Sequence, residues 1–146
     1  MKIRNVKESD LHEILDLERL IFNYDQLNMR SIRWMSSRAN AQFKVITVHK
    51  KIIGYSLVLF KKNSTNARLY SIALHPSFHG KGYGKKLLIN IFKTLAFSKH
   101  TSLRLEVKTS NHSAIELYKK MGFIVTGKKL AYYDDGSAAL CLEKLL

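Results

Sequence analysis

Cysteine, proline and tryptophan occur once each in the 146 residues, as Cys141, Pro76 and Trp34. A single thiol excludes an intrachain disulfide, and with it a disulfide-stapled secreted scaffold. No apolar run approaches the roughly 20 residues that cross a bilayer. The opening residues Met1-Lys2-Ile3-Arg4-Asn5-Val6 lack the apolar centre of a secretory signal. The expectation is a cytoplasmic protein without membrane contact. Repeats, low-complexity stretches and linkers are also absent, so residues 1–146 are expected to form one domain. Acidic residues are scarce: 11 Asp+Glu stand against 25 Lys+Arg, for a net charge of +14. Such an excess draws anions, whether nucleotides, RNA or acidic protein surfaces. The cations fall in pairs such as Lys61-Lys62, Lys119-Lys120 and Lys128-Lys129 rather than in a basic arm. That pattern fits a solvated surface as well as a partner, and it argues against nucleic acid.

What is present is a regular alternation of strand and helix signals. Lys2 to Val6 alternates as an opening strand. Leu11, Ile14, Leu15 and Leu17 form a helical stripe after the capping candidates Ser9 and Asp10, with Ile21 and Phe22 beyond. Asn23 to Asn28 reads as a loop and Met29 to Ser37 as a short helix. Phe43–Val48 and Ile52–Phe60 read as a hairpin around His49-Lys50-Lys51. Ala67–Leu74 is a strand stopped by Pro76, and Gly84–Ser98 a helix. Ser102–Lys108 alternates, with Leu103, Leu105 and Val107 on one face and Arg104, Glu106 and Lys108 on the other. Asn111 caps a helix to about Met121, and Gly122 ends it. Phe123–Leu130 and Ala138–Glu143 are the last strands, joined through Asp134-Asp135-Gly136. The order predicts a mixed α/β fold with hairpins at both ends.

Between the strand Ala67–Leu74 and the helix Gly84–Ser98 lies His79-Gly80-Lys81-Gly82-Tyr83-Gly84-Lys85-Lys86. Alternate glycines let the backbone turn sharply and aim several N–H groups at one point. The following helix adds its free first-turn N–H groups and positive dipole end, a site for phosphate or pyrophosphate. The spacing is neither a Walker A loop, since Lys85 is followed by Lys86, nor a dinucleotide fingerprint. Taken alone, the stretch is equally an ordinary tight turn. The six histidines form no metal pattern. His75 and His79 are four apart, but Pro76 denies them a shared helix, so no metal is expected.

The context of the turn carries more. Ile72-Ala73-Leu74-His75-Pro76 precedes it. Leu105-Glu106-Val107, Ser110-Asn111-His112-Ser113-Ala114-Ile115-Glu116-Leu117-Tyr118 and Met121-Gly122-Phe123 follow. In this order the motifs resemble the GCN5-related N-acetyltransferase (GNAT) superfamily, and within it the ribosomal-protein alanine N-acetyltransferases. Tyr132-Tyr133-Asp134-Asp135-Gly136 is similar to the tail of related bacterial acetyltransferases. The resemblance implies a GNAT fold. Its centre is a mostly antiparallel, twisted sheet of six to seven strands flanked by about four helices. Ala67–Leu74 and Ser102–Lys108 splay apart at the centre of that sheet.

The resemblance also implies a chemistry. Acetyl-CoA is the co-substrate, with Ile72, Ala73, Leu74, His79, Gly80, Lys81, Gly82, Tyr83, Gly84, Lys85, Asn111 and Ser113 as its binding residues. Lys86 can add charge, although Lys81 and Lys85 could equally be solvated. Glu106 is the base that takes a proton from the amine, and Tyr118 the acid toward the CoA sulfur. The residue-level alternatives are a solvated strand carboxylate for Glu106 and a core aromatic for Tyr118. Asn111, Ile115 and Tyr118 share one helical face at i, i+4 and i+7. An α-amine, with its pKa near 7.7–8.0, asks less of a base than a lysine near 10.4. The favoured acceptor is a protein N-terminal α-amine. A small amine is the alternative, and a non-catalytic CoA-sensing or RNA-docking module is the alternative of another class. His79 stands where the family has Arg or Gln, and Leu130-Ala131 where its alanine-specific branch has Arg-Asn. Trp34 and Tyr24 are candidates for the acceptor wall, Trp34 equally for the core, and Cys141 for core packing.

Overall fold

A computed structural model describes residues 1–22, 28–38 and 40–146. The strands are β1 (Lys2–Asn5), β2 (Ala41–Val48), β3 (Lys51–Phe60), β4 (Asn66–Leu74), β5 (Ser102–Lys108), β6 (Ile124–Lys129) and β7 (Ala139–Leu145). They form one sheet in the order β1-β2-β3-β4-β5-β7-β6. The helices are α1 (Leu11–Ile21), α2 (Met29–Ser36), α3 (Tyr83–Leu95) and α4 (His112–Lys120). The fold is the mixed, mostly antiparallel sheet that was expected, with four helices. Among the described residues, no helix is long and apolar enough to cross a membrane.

The last strand reaches Leu145 rather than Glu143, because its whole length pairs with β5 from Ser102↔Leu145 to Lys108↔Ala139. The third helix begins one residue early, at Tyr83, with Gly82 as its N-cap, and ends at Leu95 rather than Ser98. The Ser98 hydroxyl donates to the Leu95 carbonyl and closes that end.

One pair in the sheet is parallel, β4 with β5, and it lasts only from Asn66↔Ser102 to Arg68↔Arg104. Beyond that point the strands diverge, and β4 from Leu69 to Leu74 keeps only its β3 partner. The β3–β4 register is irregular at Tyr70, next to the point of divergence. Leu57 pairs with Ser71 and Val58 with Leu69, so Tyr70 is an extra residue in β4. A bulge turns the side chains that follow it to the other face. Accordingly Ala67 and Leu69 pack in the core beneath α3 and α4, with Leu88, Leu103 and Leu105. Ala73, of the same parity, packs beneath α1 and α2 with Ile14, Ile32 and Tyr55.

Gly54 of β3 lies against the splayed half of β4. A Cβ there would stand 2.6 Å from the Ala73 carbonyl oxygen and 2.6 Å from Leu74 Cδ2. The first contact is with backbone, which cannot rotate away. Gly54→Ala is expected to cost about 1–3 kcal/mol by overpacking, read as a lower urea midpoint at unchanged m. An unchanged midpoint would mean that β3 and β4 separate freely.

Candidate active site

The turn before α3 needs its glycines for two different reasons. Gly80 and Gly82 have φ of 73° and 84°, a left-handed conformation that residues with a Cβ rarely adopt. Gly84 is helical, and a Cβ there would meet Leu117 Cδ2 of α4 at 3.2 Å, so it allows α3 to start close against α4. No described acceptor takes the N–H groups of Gly80 to Lys85. Those donors surround the N-terminus of α3.

This turn lines a cavity whose other walls are Ile72, Ala73 and Leu74 of β4 and Asn111, Ser113 and Tyr118 at α4. Of the expected co-substrate residues, only Lys81 lies outside the lining. Its ammonium sits 5.5 Å from the Phe78 ring centroid, and Lys86 stands 5.6 Å over the Tyr83 ring. His79 turns back on the chain: its Nε2 bonds the Leu74 carbonyl at 2.9 Å. The imidazole thus ties the turn to the end of β4. His75 Nδ1 accepts from the Ser77 N–H at 3.1 Å. Among the described residues, no group of three or more His, Cys, Asp or Glu side chains is placed to hold a metal ion.

A second cavity opens on the other side of the splay, lined by Glu18, Arg68, Glu106, Tyr118 and Tyr132 among others. Phe22, Ile72, Asn111 and Tyr118 line both cavities. The two therefore meet where β4 and β5 part. Asn111 caps α4, its Oδ1 accepting from the Ala114 N–H at 3.4 Å. Its amide group remains at the junction. Tyr118 is 6% exposed and packs edge-on against Phe123, and its hydroxyl bonds to no described residue. Burial pushes the Tyr118 phenol well above its ordinary value.

Glu106 is held between two cations, Arg68 at 3.2 Å and Lys129 at 3.1 Å, with its own side chain 16% exposed. The carboxylate raises the Lys129 pKa in turn, through the hydrogen bond first and the charge second. Arg68 also donates to the Tyr132 hydroxyl at 3.0 Å, and Lys129 stands 5.2 Å over the same ring. Lys108 on β5 pairs with Asp135 at 2.6 Å, tethering the β6–β7 loop beside the cavity. That lysine and the Ser137 hydroxyl hold the Asp135 carboxyl well below the usual range.

Three residues escaped the sequence: Glu18 and Arg68, which line this cavity, and Lys129, which pairs with Glu106. Glu18 is 3% exposed and takes a hydrogen bond from the Tyr55 hydroxyl. It falls four residues after Ile14 and seven after Leu11, on the buried stripe of α1. A carboxylate at an apolar position of a helical repeat was the available signal. Arg68 and Lys129 carry no such mark, since their partner is 38 and 23 residues away along the chain. Trp34 belongs to neither core nor cavity. It is 60% exposed, because α2 buries the face bearing Ile32 and Met35, and Arg38 stacks 4.5 Å over its ring. Tyr24 lies outside the described residues. Cys141 is half-buried rather than a core residue, directly across from Glu106 in the β5–β7 ladder.

Comparison with known proteins shows the family. The model of the Acetyltransferase (GNAT) family matches residues 9–123. Over 73 residues the chain is 38% identical to the ribosomal protein bS18-alanine N-acetyltransferase of Haemophilus ducreyi, covering 49% of this chain and 50% of that protein. It is 27% identical over 149 residues to an N-alpha-acetyltransferase of Sulfurisphaera tokodaii, covering 94% and 89% of the two. The solved structure of Ard1 from Thermoplasma volcanium superposes with a TM-score of 0.89 at 26% identity, over 99% of this chain and 97% of that one.

Proposed function

The chain belongs to the acetyltransferase (GNAT) family, and from that premise we propose that it transfers the acetyl group of acetyl-CoA to the N-terminal α-amine of a protein. The observation that carries this reading is the pair of cavities meeting at Asn111 and Tyr118 in the β4–β5 splay. One is walled by a glycine turn with free N–H groups, which suits a pyrophosphate. The other holds the Glu106 carboxylate, which suits an amine. The relatives named for bS18 alanine and N-alpha acetylation supply the acceptor class.

In this reading the unpaired edge of β4 at Ile72, Ala73 and Leu74 bonds the pantetheine amides as an added strand would. Gly80 to Lys85 bond the pyrophosphate, with Lys85 adding charge. The amine enters from the far side and gives a proton to Glu106, directly or through one water. Its nitrogen then attacks the thioester carbonyl and releases its second proton to water as the tetrahedral adduct forms. The C–N bond forms, and an N–H near Leu74 bonds the developing oxyanion. The C–S bond breaks as the carbonyl returns. Tyr118 lines both cavities where they meet, and in this reading it gives its proton to the sulfur as the C–S bond breaks, so that CoA leaves as the thiol.

CoA release with acetyl-CoA and a mixed acceptor panel tests the reading. Peptides with a free N-terminal alanine or serine are expected to turn over, and the same peptides with a blocked N-terminus to be inert. Turnover of polyamines or aminoglycosides alone would overturn the acceptor. Thermal stabilisation by acetyl-CoA without turnover of any amine would overturn catalysis.

A further inference from the structure

A third concavity adjoins the acceptor cavity, and the two share Arg68 and Glu106. Five cations line it: Arg38, Lys61, Lys62, Arg68 and Arg104. Among the described residues Glu106 is its one lining carboxylate, and it is already bound by Arg68 and Lys129. Arg104 pairs with Glu143 at 2.7 Å. Lys61 and Lys62, both exposed, make no ion pair among the described residues, and Arg38 bonds the neutral Asn40 side chain at 2.9 Å. Among the described residues, the groove therefore keeps a net positive charge that no neighbouring carboxylate cancels.

Its course matches that of an acceptor chain. Arg104 lies two residues from Glu106 along β5, about 7 Å at the strand rise, or two residues of an extended peptide. Leu59 pairs with Arg68, which brings the following residues Lys61 and Lys62 to the same end of the sheet. We propose that this groove holds acidic side chains a few residues after the acceptor's N-terminus, so that the enzyme selects proteins whose N-terminal segment is acidic. The proposal rests on the N-terminal acceptor reading and adds the substrate's charge. RNA fits the groove less well. Base stacking needs open aromatic faces, and the one ring among the described lining residues, Phe60, is already stacked on His100 with centroids 4.6 Å apart.

The test uses peptides that share an N-terminal Ala-Ser and carry Asp/Glu, Gln or Lys/Arg at positions three to six. At low salt kcat/KM is expected to be about tenfold higher for the acidic set than for the basic set, with the difference in KM, and to shrink in 0.5 M NaCl. The double variant Lys61→Glu/Lys62→Glu should abolish or invert that order while leaving the Gln peptide within about twofold. Both side chains are exposed, so the variant should fold, and its melting temperature checks this. Equal kcat/KM for acidic and basic peptides, or a preference untouched in the double variant, overturns the groove assignment alone. No turnover of any peptide, with small amines accepted, overturns the N-terminal acceptor reading and this proposal together. A single-stranded RNA 20-mer that binds below 1 μM and is released by the double variant overturns the peptide assignment in favour of RNA.

Discussion

Tyr118→Phe is expected to lower kcat by about 10²-fold, the effect of removing one donor aimed at developing charge. Affinity for CoA should stay the same. The change deletes one oxygen, and most of the cavity that would hold CoA is supplied by β4, the glycine turn and the start of α3. Stability should not fall either. The Tyr118 side chain is almost wholly buried, yet its hydroxyl bonds to no described residue. The Tyr118 oxygen is not among the fully buried unpaired atoms and opens on the cavity, so its deletion breaks no hydrogen bond to a described residue, and the phenyl ring keeps its packing against Phe123. Loss of rate with melting temperature and CoA affinity intact separates a group facing the thiolate from a core aromatic. Unchanged kcat would sink the assignment. A lowered melting temperature with an equally lowered kcat would assign Tyr118 to packing.

The difference in legibility between parts of this molecule has a physical cause. The strands and helices could be read because their periods are local: the alternation from Leu103 to Lys108, and the stripe of Leu11, Ile14 and Leu15. The glycine turn could be read because Gly80 and Gly82 hold a backbone conformation that demands glycine. The splay was expected only by resemblance. Its structural counterpart is one extra residue, Tyr70, visible solely as a shift in the β3–β4 register. The partners of Glu106 were hidden for a similar reason. Arg68 and Lys129 come to it from strands on either side of β5 in the sheet order. Nor could the net charge of +14 say where it mattered. The fold gathers Lys61, Lys62 and Arg38 beside the acceptor cavity and leaves other pairs elsewhere.

Glu106→Gln is the second large loss expected, about 10²-fold or more in kcat/KM at pH 7 with a protein N-terminal peptide. Two effects act together and can be separated. The amide cannot accept the ammonium proton, which lowers kcat. It also leaves Arg68 and Lys129 without their shared counter-charge, which repels a cationic amine and raises KM. The fold should tolerate the change, since both cations are about half exposed and such ion pairs contribute roughly 0–1 kcal/mol. Without a base, the reaction depends on amine that arrives neutral. For an α-amine with pKa near 7.8, the neutral fraction rises about sevenfold between pH 7 and pH 9. The deficit in kcat relative to wild type should therefore narrow by about that factor over the same range. A merely structural carboxylate predicts a deficit that does not change with pH. A variant within twofold of wild type at pH 7 would remove Glu106 from the chemistry, and Glu18, the other carboxylate lining the acceptor cavity, would become the group to test.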